Sequence, residues 1–252
     1  MVSSSRIANR ERDVDVRETS VHVRRAAGAV DALTLAGLSL EAMGDSVPFR
    51  SFRWNHGQPN FPGSFWSEKM QAHVGYESRL ELSHLLVAEF DHDVARMWSQ
   101  PFKLVAVSDG RRAHVPDYLF ERRGGRGQVM DVKRAVDLEQ PKVAATLQWT
   151  RALIDEHAWE YSVVTEPDPV YASNVQFLSD YRRSAQFDED LVERVATLID
   201  GPMTVAEARA AAGTVAPSER VAPALVFRLL WLQRLTCDLT QQLQSTTMVR
   251  PA

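Results

Sequence analysis

Two acidic residues and a lysine near the middle of the chain have the types and spacing needed to hold a divalent metal ion. Asp117 follows Pro116, and the run Asp131-Val132-Lys133 begins fourteen residues later. Paired carboxylates suit Mg²⁺ or Mn²⁺, and a cation held in this way polarises a phosphodiester and lowers the pKa of an attacking water. A neighbouring lysine offsets the charge that builds on the phosphate. The pattern therefore predicts metal-dependent hydrolysis of a phosphodiester.

Predicted strands bring these residues together. Asp131 and Lys133 are two apart on a strand predicted over Gln128–Lys133, so both side chains point to one face. Asp117 lies in the second arm of a β-hairpin predicted over residues 102–120, whose Asp-Gly turn supplies the positive φ values of a tight turn. We therefore expect the two strands to lie side by side. Taken alone, Asp117 also fits the start of a turn, and Lys133 fits a solvated strand end.

A helix predicted over Tyr76–Phe90 offers a third carboxylate. Glu77 and Glu81 are four residues apart and therefore share one face of that helix. Both also fit an exposed helix face, which is the common position of such pairs. Glu77 stays open between two interpretations, a secondary site residue or a solvated glutamate.

The remaining elements predict the fold class. An amphipathic helix over Gln140–His157 and a strand over Trp159–Thr165 give the order helix, three strands, helix, strand. That order predicts an α/β fold with a mixed sheet flanked by helices. After residue 168, three short helices and a β-hairpin predict a small winged-helix-like domain. Thr204–Glu207 predicts a capping box at the start of one of these helices.

We expect the chain to have three segments. Residues 1–45 are predicted to be a flexible or loosely docked N-terminal segment, because its first stretch is polar, charged and without periodicity. Within it, Ala26–Gly44 is apolar and fits a short docked helix. Residues 46–168 are expected to form the catalytic domain and residues 169–252 a helical C-terminal domain.

Composition excludes several classes of protein. The one cysteine, Cys237, rules out an internal disulfide and zinc sites built on several cysteines. No apolar run approaches the roughly 18 residues that span a bilayer, and the N-terminus lacks the apolar core of a secretory signal. We therefore expect a cytoplasmic chain with no membrane partner. The glycine-lysine loop of an ATPase is absent from the sequence as well.

Local charge differs from the overall charge. With 29 Lys and Arg against 33 Asp and Glu, the formal net charge of −4 gives no overall attraction to nucleic acid. Arg122, Arg123 and Arg126, however, surround a glycine loop between the two acidic motifs. These arginines are predicted to hold a DNA backbone beside the carboxylates. The alternative is a solvated basic loop.

Four short motifs follow one another along the chain. They are Ser78-Arg79-Leu80-Glu81-Leu82, Gln100-Pro101-Phe102, Val115-Pro116-Asp117-Tyr118 and Asp131-Val132-Lys133. This order resembles the PD-(D/E)xK nuclease superfamily and, within it, the TnsA-type endonuclease subunit of heteromeric transposases. The resemblance extends over residues 51–166 and more loosely into the C-terminal helices.

The resemblance implies a restriction-endonuclease-like fold and a role for each motif. Glu81, rather than Glu77, matches the first carboxylate of the family, and Asp117 matches the second. The third position of the family is Gln, Glu or Asp, and here it is Asp131, with Lys133 as the lysine. The expected ligands of Mg²⁺ or Mn²⁺ are the carboxylates of Glu81, Asp117 and Asp131 and the backbone carbonyl of Val132.

The family also implies partners, namely double-stranded DNA, an integrase-like transposase and in some systems an ATP-dependent regulator. We therefore expect an endonuclease that cuts one strand at transposon ends. A restriction, repair or defence nuclease of the same fold is an alternative, and a non-catalytic DNA-binding adaptor is another. Val221–Leu235 is too apolar for an exposed recognition helix and is predicted to be core or a docking surface. The isolated chain is therefore expected to bind transposon-end DNA weakly and to cut it poorly, and a transposase partner is expected to supply the targeting.

Overall fold

The chain combines helices and sheets. The computed structural model describes residues 19–50, 61–106 and 112–252. These residues form six α-helices and thirteen β-strands arranged in four sheets, which confirms the general α/β class. None of the helices in the described part of the chain combines the length and the apolar character that crossing a membrane requires.

Two compact units make up the chain. The first contains residues 1–84 and 92–166, and the second contains residues 85–91 and 167–252. The elements up to residue 166 are, in chain order, β1 (Thr19–Arg24), β2 (Val30–Thr34), β3 (Gly63–Ser67), β4 (Ala72–Tyr76), α1 (Arg79–Phe90), β5 (Val94–Ser99), β6 (Lys103–Ala106), β7 (Ala113–His114), β8 (Tyr118–Arg122), β9 (Arg126–Val132), α2 (Pro141–Glu156) and β10 (Glu160–Val164).

An antiparallel sheet with the strand order β2-β1-β6-β7 contains the first described residues. Val21 and Val23 alternate along β1 and are fully buried, as the two-residue period of a strand allows. The N-terminal segment predicted to be flexible or loosely docked, residues 1–45, therefore forms regular structure from residue 19 onward. The residues before it lie outside the described part. Ala26–Gly44 contains β2 and two 3-10 turns rather than the predicted helix.

The second sheet has the strand order β10-β9-β8-β5. β5, β8 and β9 are antiparallel neighbours, whereas β10 pairs parallel to β9, which gives the predicted mixed sheet. α2 connects these two parallel strands and begins at Pro141, where a missing N–H costs no helical bond. Leu153 and Ile154 of α2 are fully buried. They share one core with Val21 and Leu104 of the first sheet.

The hairpin predicted over residues 102–120 is divided between these two sheets. β6 pairs with β7, and after a bend β8 pairs with β5 and β9. The predicted Asp109-Gly110 turn lies outside the described residues. Pro116 has no N–H to donate to a strand ladder, which explains the break. Asp117 therefore lies in the bend between β7 and β8 and not in the arm of a hairpin.

The second unit has its own sheet and helices. After residue 166 its elements are α3 (Pro169–Leu178), α4 (Glu189–Leu198), β11 (Met203–Thr204), α5 (Val205–Gly213), α6 (Ala222–Trp231), β12 (Leu235–Thr236) and β13 (Met248–Pro251). The strands form an antiparallel sheet with the order β11-β13-β12. The predicted capping box is confirmed, since Thr204 Oγ1 accepts from the Glu207 N–H at 3.2 Å and the Glu207 carboxylate accepts from the Thr204 N–H at 2.7 Å.

α6 lies at the centre of the core of the second unit. Leu225 and Leu229 are buried among the other apolar residues of this unit. Arg228 of the same helix is also buried, and its guanidinium donates to two backbone carbonyls and to Glu189. The helix predicted over Val221–Leu235 is therefore core, in agreement with one of its two predicted roles.

Candidate active site

Three oxygen atoms converge on the ammonium group of Lys133. Its Nζ lies 2.9 Å from Asp117 Oδ2, 3.1 Å from the Val132 carbonyl oxygen and 3.6 Å from Asp131 Oδ1. Asp131 and Val132 are the last residues of β9, and Asp117 comes directly before its neighbour β8. The adjacent ends of two paired strands therefore bring together the residues that the sequence predicts to meet.

Asp131 is completely buried and is hydrogen bonded on both carboxylate oxygens. His114 Nε2 lies 2.9 Å from Oδ1 and 2.8 Å from Oδ2, and the Tyr161 hydroxyl donates to Oδ2 at 2.6 Å. An ionised carboxylate only accepts hydrogen bonds, so Nε2 carries the hydrogen. Burial acts to raise the pKa of Asp131, but the bond from His114 and the charge of Lys133 outweigh burial and hold this pKa below its usual value. The buried carboxylate therefore stays charged.

Asp117 has a different electrostatic setting. Its Oδ2 accepts from the Val132 N–H at 2.7 Å as well as from Lys133. Burial raises the pKa of Asp117 above its usual value, because Lys133 compensates only in part and Asp131 adds a like charge. Burial acts to lower the pKa of Lys133, yet the two aspartates raise it, so the ammonium stays charged. One ammonium thus leaves the two carboxylates incompletely neutralised, and further positive charge is favourable there.

Glu81 lies in the first turn of α1. Its Oε2 accepts from the Glu77 N–H at 2.8 Å and its Oε1 from the Ser78 hydroxyl at 2.9 Å, while Ser78 Oγ accepts from the Glu81 N–H at 3.1 Å. These bonds satisfy the start of the helix in the manner of a capping box. Burial raises the pKa of Glu81 against the bond from Glu77, and the charge of Asp117 adds to the effect of burial. Glu81 therefore caps α1, and the negative charge of Asp117 contributes to its raised pKa.

A cavity of about 370 Å³ opens in front of these residues. The predicted residues in its lining are Glu77, Glu81, Asp117, Val132 and Lys133. Glu77 also lies 3.7 Å from the guanidinium of Arg50, measured from Oε2 to Nη2. The structure therefore gathers the predicted carboxylates and the lysine around one cavity, with Asp131 buried beside Lys133.

The predicted DNA-backbone arginines lie at the other end of the sheet. Arg122 pairs with Arg126 at the closed end of the β8–β9 hairpin, and Arg123 follows in its turn. Asp117 is five residues from that end, about 17 Å along an extended strand. Their predicted position beside the carboxylates is therefore wrong, because a hairpin places its turn opposite its open strand ends. Contact of these arginines with DNA stays a prediction.

The donor atoms of the site suit a hard divalent cation. In the part of the chain that the structure describes, no three His, Cys, Asp or Glu side chains form a group that could hold a metal ion. The converging oxygen atoms belong instead to two carboxylates and one backbone carbonyl, those of Asp117, Asp131 and Val132. The ammonium of Lys133 already lies among them. Mg²⁺ is commonly held by one or two carboxylates with water as the other ligands. The set therefore fits Mg²⁺ or Mn²⁺.

His114 and Tyr161 are site residues that the sequence did not single out. They reach Asp131 from β7 and β10, at sequence separations of 17 and 30 residues. No local spacing predicts such contacts. The nearest signal in the sequence is a histidine three residues before Asp117.

Comparison with known proteins assigns no family to this chain. No family model matches it, and no curated protein matches it either. The resemblance carried by the four motifs therefore depends on the residues of this chain and on their geometry.

Proposed function

We propose that this chain is a metal-dependent DNA endonuclease of the PD-(D/E)xK type. The observation that carries the proposal is the convergence of Asp117, Asp131 and the Val132 carbonyl on the ammonium of Lys133. Two acids, a carbonyl and a lysine at the ends of adjacent strands form a set suited to phosphodiester hydrolysis. The proposed substrate is double-stranded DNA, and the proposed cofactor is Mg²⁺ or Mn²⁺.

Each residue of the site has a part in the proposed reaction. Asp117, Asp131 and the carbonyl of Val132 would hold the divalent cation, with Glu81 on the wall of the same cavity. When bound, such a cation polarises the phosphodiester and lowers the pKa of a water molecule. Lys133 stays charged between the two aspartates. Its ammonium orients the attacking water and offsets the negative charge that grows on the phosphate.

The bonds to Asp131 keep one carboxylate of the site in a fixed orientation. His114 and the Tyr161 hydroxyl hold both of its oxygens in a buried place, where an unpaired charged group is costly. A charge that is already in place needs no reorganisation while the reaction proceeds. His114 and Tyr161 are therefore positioning residues in the proposed mechanism.

The order of elements in the first unit supports the same proposal. Five strands, β5 to β9, lie between α1 and α2 in the chain, and β10 follows α2. Three of those strands, β5, β8 and β9, share a sheet with β10, which is parallel to β9. The resemblance implies a restriction-endonuclease-like mixed sheet flanked by helices, with the first carboxylate on a helix. Glu81 on α1, Asp117 before β8 and Asp131 on β9 agree with that arrangement.

For the second unit we propose a winged-helix-like domain that docks a partner and does not read DNA. The order helix, strand, two helices, two strands from α4 to β13, with β13 in the middle of the sheet, supports the first part. Seven of the ten residues of α6 are buried. Arg228, Gln233 and Arg234 all donate to groups of the same unit. Few polar groups of α6 and of the residues that follow it are therefore left to read base edges.

A plasmid-nicking assay with the purified full chain and Mg²⁺ or Mn²⁺ tests the nuclease proposal. Asp117→Ala, Asp131→Ala and Lys133→Ala are each expected to abolish nicking, because the site then lacks an oxygen ligand or its ammonium. Asp137→Ala removes an aspartate outside the cavity and is the matched control. Asp117→Asn keeps an acceptor for the Val132 N–H and guards against a folding defect. A folded Asp117→Ala protein that nicks like the wild type would contradict the proposal.

Within this proposal the chain acts as the TnsA-like subunit of a heteromeric transposase. It cuts one strand at transposon ends and depends on an integrase-like transposase for targeting, with an ATP-dependent regulator in some systems. A restriction, repair or defence nuclease of the same fold remains the alternative, and the converging site disfavours a non-catalytic adaptor. Binding and nicking of transposon-end DNA are measured at physiological salt with and without the transposase. Tight, end-specific binding by the chain alone would contradict the dependence on a partner.

A further inference from the structure

Two cations that the sequence did not single out line the same cavity as the carboxylates. They are Arg50 and Lys103, and Lys103 is the first residue of β6. Together with Lys133 they give the cavity three cationic side chains, against the carboxylates of Glu77, Glu81 and Asp117. A bound divalent cation turns this balance positive, and positive clefts attract polyanions.

Both cations are available to a further anion. Among the residues that the structure describes, none forms an ion pair with Lys103, whose Nζ lies 5.8 Å from the centre of the Phe49 ring. The guanidinium of Arg50 is 55% exposed and lies 3.7 Å from Glu77, a contact of the kind that contributes little in water. A phosphate that enters the cavity therefore meets two cations that are weakly engaged.

Gln100 connects the backbone of Arg50 to the bend that carries Asp117. The N–H of Gln100 donates to the Asp117 carbonyl at 2.8 Å, and its own carbonyl accepts from the Phe49 N–H at 3.1 Å. Its side-chain Oε1 accepts from the Arg50 N–H at 3.0 Å. Gln100 is buried and has a φ of 45°, a left-handed conformation that is uncommon outside glycine. Such conformations persist where the surroundings fix them, so the backbone of Arg50 is held at a set distance from Asp117.

We propose that Arg50 and Lys103 bind phosphate groups of the DNA backbone next to the phosphodiester that is cut. The inference depends on the proposed nuclease function and names residues that place its substrate. Lys103 offers a compact ammonium, and Arg50 offers a planar guanidinium that bonds two phosphate oxygens at once. The loop that contains Arg122 and Arg126 lies at the far end of β8 and β9 and does not place this phosphate.

The experiment measures binding of a short fluorescent DNA duplex to the full chain by anisotropy. Ca²⁺ replaces Mg²⁺, a gel verifies that the duplex is intact, and the salt concentration is varied from about 20 mM to 150 mM. Lys103→Gln and Arg50→Gln are each expected to weaken binding about tenfold, the loss of one charged hydrogen bond. Each is also expected to lower the slope of log affinity against log salt by about one.

Two kinds of variant serve as controls. Lys142→Gln removes one positive charge from an exposed lysine of α2 outside the cavity lining and is expected to leave affinity within about twofold of wild type. Lys103→Arg keeps the charge and is expected to retain the wild-type slope. Thermal unfolding followed by circular dichroism verifies that each variant is folded.

The outcomes separate this inference from the nuclease proposal. If the wild type nicks DNA and Asp117→Ala does not, while Lys103→Gln and Arg50→Gln keep the wild-type slope, the inference is overturned and the nuclease function stands. If the wild type neither binds nor nicks DNA, either alone or with the transposase, both are overturned. A reduced slope in folded Lys103→Gln that Lys103→Arg restores supports the inference.

Discussion

Replacement of Lys133 by methionine is expected to abolish cleavage and, at the same time, to tighten metal binding. In the structure the ammonium lies 2.9 Å from Asp117 Oδ2, 3.6 Å from Asp131 Oδ1 and 3.1 Å from the Val132 carbonyl. A divalent cation must displace this ammonium or bind against its charge. Methionine keeps much of the length of the side chain and removes the charge, so the three oxygens are left to the metal.

The size of the effect follows from the distances and the exposure of the lysine. A metal that displaces the ammonium of Lys133 costs the attraction between this unit charge and a carboxylate. Two unit charges about 4 Å apart attract each other by about 4 kcal/mol at the effective dielectric constant of a protein surface. Lys133 is 25% exposed and can turn towards water when a metal binds. We therefore take about one third of this value, about 1.4 kcal/mol, which is a tenfold change in Kd.

Isothermal titration calorimetry with Mn²⁺ measures this change, and a nicking assay on the same protein measures cleavage. A pH of about 8 is used because burial raises the pKa of Asp117, so that a higher pH favours its ionised form. Lys142→Met replaces an exposed lysine of α2 and is expected to bind and cleave like the wild type. Mn²⁺ binding by Lys133→Met that is no tighter than that of the wild type would show that the three oxygens do not hold the metal.

Three further predictions concern other residues. Glu81→Gln is expected to weaken Mn²⁺ binding more than Glu77→Gln in calorimetry, although glutamine preserves the helix cap; the reverse order would show that the carboxylates are wrongly assigned. Arg228→Met is expected to lower the free energy of unfolding in urea by about 2 kcal/mol, because two backbone carbonyls lose their buried donor. Arg234 is more exposed, so Arg234→Met is expected to lower this free energy less. Burial lowers the pKa of His84, against its bond to a backbone carbonyl, so the folded state binds fewer protons than the unfolded state. Stability should therefore fall as the pH drops below about 6.5, and His84→Gln should reduce that fall.

The sequence predicts those parts of the site that depend on neighbouring residues. Asp131 and Lys133 are two apart on one strand, and the structure places their charged groups 3.6 Å apart. The capping box at Thr204–Glu207 is equally local, and the structure contains both of its hydrogen bonds. In each case the pattern and the contact lie within one element, so tertiary packing does not need to be known.

Contacts between distant segments could not be predicted in the same way. Ser20 and Val105 pair in the first sheet although 85 residues separate them. The apolar alternation of β1 is short and follows a charged stretch, so it does not stand out as a strand in the sequence. The contact of His114 with Asp131 needs the chain to leave one sheet and enter another between β7 and β8. The position of the arginine loop is different, because it follows from the pairing of β8 with β9 and could have been deduced from the hairpin alone.

The contacts of Asp131 also limit which residues the chain can exchange in evolution. Its side chain is completely buried, and its oxygens lie between 2.6 and 2.9 Å from atoms of His114 and Tyr161. Glutamate or glutamine, which the resemblance allows at this position, would extend the side chain by about 1.5 Å into the space of those rings. We therefore expect the three positions to change together, so that homologous chains with a longer residue at position 131 carry smaller residues at position 114 or 161.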